Sequence, residues 1–167
     1  MSKSLACLIA CACFAAGCGD LTEEDRPSGF SPLELQMLDE VNAQRAKGAT
    51  CGGKQMPPSE PLVLVRALTD ASAAHSEDMA QNGYFSHTGQ DGSSPTARAQ
   101  RQGYEGGGVG ENIAAGRDTV PAVMQQWMAS SGHCKNIMRA NYKVFGIGYA
   151  QAHQSVYRHY WTQMFGS

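Results

Sequence analysis

The groups best suited to chemistry crowd into one stretch, Trp127-Met128-Ala129-Ser130-Ser131-Gly132-His133-Cys134-Lys135-Asn136-Ile137-Met138, where an imidazole and a thiol stand side by side. An imidazole can move a proton near neutral pH or bind a metal, and a thiolate can attack an electrophile or close a disulfide. A helix-like run ends at Gly132, a residue suited to the left-handed turn that closes helices, so one short turn is expected to carry both groups. Ser130, Ser131 and Asn136 add hydroxyls and an amide beside them. A lone histidine is more often a satisfied structural residue, so the weight of this stretch depends on whether other segments send matching groups.

Two segments offer such groups. His87 follows Tyr84-Phe85-Ser86 and precedes Thr88-Gly89-Gln90-Asp91-Gly92, a turn-rich run of the kind that displays side chains. Glu111 opens Glu111-Asn112-Ile113-Ala114 after a glycine run, and its carboxylate is either a solvated loop charge or an inward-facing ligand. His75 differs from both, because it lies on an apolar helical stripe and suits a buried, hydrogen-bonded core position. Gly106 to Gly110 has the glycines of a phosphate loop but lacks the Lys-Ser/Thr ending, which leaves a nucleotide site weakly supported.

Helices should position these residues. Ser31-Pro32 has the order of an N-cap and first turn, and Leu35, Leu38, Val41 and Asn42 follow at helical spacing towards Gly48. Leu64, Leu68, Ala71, His75 and Met79 mark one face of a longer helix that ends at Asn82-Gly83. Ser94-Pro95 opens a short helix to about Gln102, and Asp118 or Thr119 caps another along Val120, Val123, Met124 and Trp127. Val144 to Ala150 and Val156 to Phe165 alternate and are rich in branched and aromatic residues, as in a hairpin, with His159 on the solvated face. Helices first and strands last predict an α+β domain with an antiparallel sheet.

The start of the chain reads differently. Residues 1–18 combine Lys3, an apolar run from Leu5 to Ala16 and Ala15-Ala16-Gly17-Cys18, the layout of a secretory signal that ends in a lipoprotein cleavage pattern. Cys18 is then the lipidated first residue, and an ordinary cleaved signal is the alternative. The run is too short to span a membrane. Residues 19–30 have the polar character of a tether, and residues 31–167 form one domain. These features predict export to the cell envelope, lipid-anchored, facing the periplasm or the exterior. With the anchor set aside, only Cys51 and Cys134 remain, and in an oxidising compartment they form a disulfide; the rival is a Cys134 thiolate beside His133. A net charge of -2 without a basic block gives no footprint for nucleic acid.

Taken together, His75 to Ala80, Tyr84-Phe85-Ser86-His87, Gly110 to Ala114, Trp127 to Met138 and Phe145-Gly146-Ile147-Gly148-Tyr149 resemble a bacterial member of the CAP superfamily of cysteine-rich secretory, antigen five and pathogenesis-related proteins. The resemblance covers nearly all of residues 31 to 166. It implies an α-β-α sandwich, an antiparallel sheet flanked by helices. It also implies a cleft lined by His87, His133 and Glu111, with Ser130, Asn112 and Asn136 beside them. Ser130 stands where eukaryotic relatives have a second glutamate. A divalent cation such as zinc, weakly held, is the cofactor this set suggests. The family's diverse roles lead to a surface lipoprotein acting as a binding or interaction module for a lipid, a cell-wall fragment or a protein. Metal-assisted hydrolysis in the same cleft is the alternative.

Overall fold

A computed structural model describes residues 27–167, so the signal segment, Cys18 and most of the tether lie outside the described residues. Helix α1 (Pro32–Lys47) opens with a capping box: the Ser31 hydroxyl accepts the Glu34 N–H at 3.3 Å and the Glu34 carboxylate accepts the Ser31 N–H at 2.7 Å. Phe30, just ahead of it, packs against the core and lies under the Arg66 guanidinium at 4.3 Å. Strands β1 (Ala49–Cys51) and β2 (Lys54–Met56) form a small antiparallel pair. The Asn42 side chain, on the inner face of α1, accepts the Leu62 N–H at 2.8 Å and donates to the Leu62 carbonyl at 3.0 Å, which fixes the approach to β3 (Val63–Leu64).

Helix α2 (Arg66–Asn82) starts later than its apolar spacing suggested, because Leu64 pairs in β3 instead of joining the helix. It is followed by α3 (Pro95–Arg101), β4 (Gly110–Ala115), α4 (Val120–Ala129), α5 (Ser131–Ile137), β5 (Val144–Gln151) and β6 (His159–Gly166). Two expectations need correction here. The helix before the chemical stretch ends at Ala129, Ser130 takes an extended conformation, and the chain restarts at once as α5; Gly132 lies inside α5 without a left-handed φ. His133 and Cys134 are therefore helical residues, not members of a turn. The last strand also begins at His159, since Val156 to Arg158 belong to the connection and Arg158 sits at φ 63.

The main sheet runs β3-β5-β6-β4, antiparallel except for the short parallel β3–β5 pair at one edge. Alternation along the strands sorts the core into two layers. Phe145, Ile147, Trp161 and Phe165 face α1, α4 and α5, packing with Met37, Val41, Val123, Trp127 and Ile137. Met164 faces α2 and α3 with Leu68, Ala71 and Ala99, while Tyr160 and Ile113 meet Met79 on the same side. The architecture is thus an α-β-α sandwich.

Candidate functional site

The site forms at the β4 edge of the sheet, where the two helical layers come round to meet. Strand alternation sends neighbouring residues of β4 to opposite faces. Glu111 goes with Ile113 to the α2/α3 side, and Asn112 goes with Ala114 to the α4/α5 side. Glu111 is therefore an inward-facing carboxylate, its side chain 2 % exposed. Burial of a charge demands partners, and it has two. His87 Nδ1 lies 2.7 Å from Oε1, and Arg98 Nη2 lies 2.6 Å from Oε2.

The loop that carries His87 is held by α2. His75, fully buried, places Nε2 at 2.9 Å from the Ser86 carbonyl; a carbonyl only accepts, so the proton is on Nε2. Asp78 accepts the Tyr84 hydroxyl and the Gln90 N–H, the latter at 3.2 Å. Arg98 completes the frame by donating to the His87 carbonyl at 3.1 Å and the Ser93 carbonyl at 2.8 Å. A carboxylate also only accepts, which puts a proton on His87 Nδ1 and leaves Nε2 free on a ring whose side chain is 53 % exposed.

His133 arrives from the other layer, on α5. Asn112 donates from its amide to the His133 carbonyl at 3.2 Å and to Gln163 Oε1 at 3.1 Å, and Asn136 donates to Asn112 Oδ1 at 2.9 Å and to the Glu111 carbonyl at 3.2 Å. These bonds dock α5 onto the outward-facing backbone of an edge strand. Cys134 is joined to Cys51 with Cα atoms 5.5 Å apart across 83 positions of sequence, which ties α5 to β1 and removes the thiolate nucleophile. The far end of α5 is fixed by Arg45, whose side chain donates to the Ile137 and Arg139 carbonyls at 2.7 and 3.0 Å.

Burial first, and then proximity to the His87 ring whenever that ring is cationic, push the His133 ring below the ordinary imidazole range; His75 is pushed down mainly by burial. Both rings bind a proton less tightly folded than unfolded, so below about pH 6.5 the unfolded chain takes up protons first and stability falls with pH. Urea unfolding should therefore show a lower midpoint at pH 5.5 than at pH 7.5, with a smaller loss in His75→Gln. An unchanged midpoint would show that neither ring stays neutral on folding.

Whether this set can hold a metal turns on the donors. Both Glu111 oxygens are engaged by Arg98 and His87, the His133 Nδ1 is buried without a partner, and Ser130, half-buried between α4 and α5, brings no carboxylate. Among the described residues no three His, Cys, Asp or Glu side chains come together in a group that could hold a metal ion. The residues do not fit a resident zinc in this arrangement. A cavity of about 320 Å³ lies alongside, lined by His75, Asp78, Gln90, Asp91, Ser93 and Arg98 among others, and His87, Glu111 and His133 are not in its wall.

Sequence reasoning passed over Arg98 and Arg45. An arginine on a short helix reads as a solvated charge, and nothing local announces the burial of Arg98; Arg45 does stand four residues after Val41 and seven after Leu38, on the buried face of α1, a spacing signal that its charge masked.

The fold and this edge site define a CAP-type α-β-α sandwich. The chain belongs to the CAP, or cysteine-rich secretory protein, family, whose model matches residues 38–165. It is 32 % identical over 144 residues to the protein YkwD of Bacillus subtilis (strain 168), covering 86 % of this chain and 51 % of that one. An extracellular protein containing a SCP domain from Bacillus anthracis str. Ames superposes with a TM-score of 0.67 at 27 % identity over 89 % of this chain and 44 % of that chain. An outer surface protein of Borrelia burgdorferi shares the fold with a TM-score of 0.63 at 14 % identity, covering 79 % of this chain and 92 % of that chain. The chain thus spans about half the length of YkwD and less than half of the Bacillus anthracis protein.

Proposed function

We propose that this CAP domain works outside the cytoplasm as a binding module, tethered to the cell envelope through a lipid on Cys18, with the His87–Glu111–His133 edge as its ligand-contacting surface. The observation that carries the reading is the contrast within one hydrogen bond: a carboxylate 2 % exposed is committed to holding, in one orientation, an imidazole that is 53 % exposed. A side chain oriented by a buried partner, with its second nitrogen towards solvent, is the preorganised arrangement that a ligand contact uses. Export is supported by the apolar leader ahead of Cys18 and by the description of the Bacillus anthracis relative as extracellular. No helix among the described residues is long and apolar enough to cross a membrane. In this reading the lipid on Cys18 supplies the attachment.

Mass spectrometry of the native protein should find an acylated N-terminus at Cys18; any other mature N-terminus removes the anchor. For the surface, phospholipid vesicles and soluble peptidoglycan fragments are titrated against the domain and its His87→Ala variant. One class of probe should bind the wild type and lose about tenfold or more in the variant, the scale of a lost hydrogen bond to a fixed polar group. Equal binding of both proteins to every probe would end the assignment of this edge. Hydrolysis is favoured by the same contact, since a carboxylate-oriented imidazole with a free second nitrogen is the form of a general base. Product release from the bound probe, abolished in His87→Ala, would select it over plain binding.

A further inference from the structure

The family resemblance suggests a cation among His87, Glu111 and His133, and the donor set argues otherwise. We propose that Arg98 supplies the positive charge of this site from within the chain, so that its guanidinium takes the place a divalent cation would need and the Glu111–His87 pair is held without a resident metal. The inference goes beyond the ligand-binding reading and does not depend on it.

Three features of Arg98 support it. First, its position is that of a cation partner to Glu111: Nη2 stands 2.6 Å from Oε2, a short charge-assisted bond, and the two side chains are 9 % and 2 % exposed. Second, the same nitrogen donates to the His87 carbonyl at 3.1 Å, so one group fixes both the carboxylate and the backbone of the residue that carboxylate orients. Third, Arg98 is itself anchored, by its bond to the Ser93 carbonyl at 2.8 Å and by its place on α3, whose N-cap Ser94 accepts the Ala97 N–H at 3.2 Å. A guanidinium stays charged at any physiological pH and presents several donors in a fixed plane. For a metal to take Glu111 as a ligand, it would have to evict this buried cation from its carboxylate or share the carboxylate with a second positive charge. Either route opposes binding electrostatically. The absent second carboxylate at Ser130 agrees with this, because a site that already contains an arginine has no excess negative charge to neutralise.

Arg98 is in these terms a positioning residue, and the test is one that a merely structural role would not pass. Zinc is titrated by calorimetry into the whole domain as wild type, Arg98→Gln and Arg98→Lys. The wild type and Arg98→Lys, which keeps the charge, should bind zinc equally weakly, while Arg98→Gln, with Glu111 Oε2 freed of its cation, should bind at least tenfold more tightly. Arg98→Gln that keeps a native amide spectrum yet shows no gain overturns the proposal, as does a wild type that binds zinc one-to-one as tightly as Arg98→Gln. Since Arg98 also holds the 87–93 loop, a measurement on the wild type alone stands beside the variants. The Arg98 Nε lies buried without a hydrogen-bond partner, so its N–H should give a protected NMR signal. Addition of zinc should leave that signal in place. A saturable one-to-one displacement of it, together with the ring signals of His87 and His133, would show that a metal enters by moving Arg98 and would sink the idea.

Discussion

Replacing Arg45 by alanine is expected to cost about 4 kcal/mol of folding stability, a large part of what a domain of this size possesses. Arg45 is fully buried in α1, and no carboxylate forms an ion pair with it among those described. Its charge is met instead by backbone carbonyls: Nε donates to Glu60 at 2.8 Å, Nη1 to Ile137 and Arg139 at 2.7 and 3.0 Å, and Nη2 to Tyr142 at 3.3 Å. Burial lowers the affinity of this guanidinium for its proton, with the charge of Glu60 opposing that shift. Because α5 ends at Ile137, the same side chain satisfies carbonyls that a helix C-terminus leaves open and sits at the negative end of its dipole. Alanine would strand those carbonyls in the interior, each at about 1–3 kcal/mol before relaxation and water entry reduce the total. Urea unfolding of wild type and Arg45→Ala measures the difference, and Arg45→Lys should recover only part of it because an ammonium cannot span three segments. A loss below about 1 kcal/mol would mean that water replaces the guanidinium freely.

The second large effect is expected at Gly148, where alanine should destabilise the domain by about 3 kcal/mol. Helix α2 lies so close on β5 that a Cβ at Gly148 would fall 2.2 Å from the Ser72 carbonyl carbon and the Ala73 nitrogen, and one at Gly146 would fall 2.2 Å from the Leu68 carbonyl carbon. These are backbone atoms, which cannot swing aside as a side chain would. The helix is further pinned there, since the Ser76 hydroxyl lies 3.2 Å from the Gly148 carbonyl and 2.9 Å from Thr162 Oγ1. Accommodation thus requires moving α2 off the sheet, and with it His75 and the loop behind His87. Gly132→Ala is the matched control. Gly132 has open space around its Cβ position and a helical setting in α5, so alanine there should be neutral or stabilising by up to about 1 kcal/mol. Thermal melts of the two variants compare them directly; equal midpoints would refute the close-approach argument.

Much of the helical framework was legible because its signals are local. Ser31-Pro32 and Ser94-Pro95 announce helix starts through cap chemistry confined to one turn, and the apolar spacing of Leu68, Ala71, His75 and Met79 marks the buried face of α2. His75 was legible for the same reason, as a polar residue on an apolar stripe. The end of the next helix was not. Gly132 carries a stop signal, yet Ser130 breaks the chain two residues earlier and Gly132 continues as helix, because docking of α5 on the β4 edge through Asn112 and Asn136 outweighs the preference of one residue. Strand β4 was missed outright. Its Glu-Asn-Ile-Ala-Ala run is poor in branched residues, and it is a strand because β6 pairs along its whole length.

By itself the sequence determined which groups were available and where several of the helices begin, and it offered Cys51 and Cys134 as a pair, since composition, periodicity and capping are properties of short segments. It could also align His87, Glu111 and His133 with one another through family resemblance. Only the tertiary structure decided what they do to each other. Glu111 and Asn112 are adjacent in the chain, but the pleat sends one to Arg98 and His87 and the other to α5, so the two halves of the site are assembled from opposite faces of one edge strand. Whether a carboxylate faces a metal, water or a guanidinium depends on which distant charge packs within about 3 Å of it, and no pattern in the sequence between positions 98 and 111 records that contact.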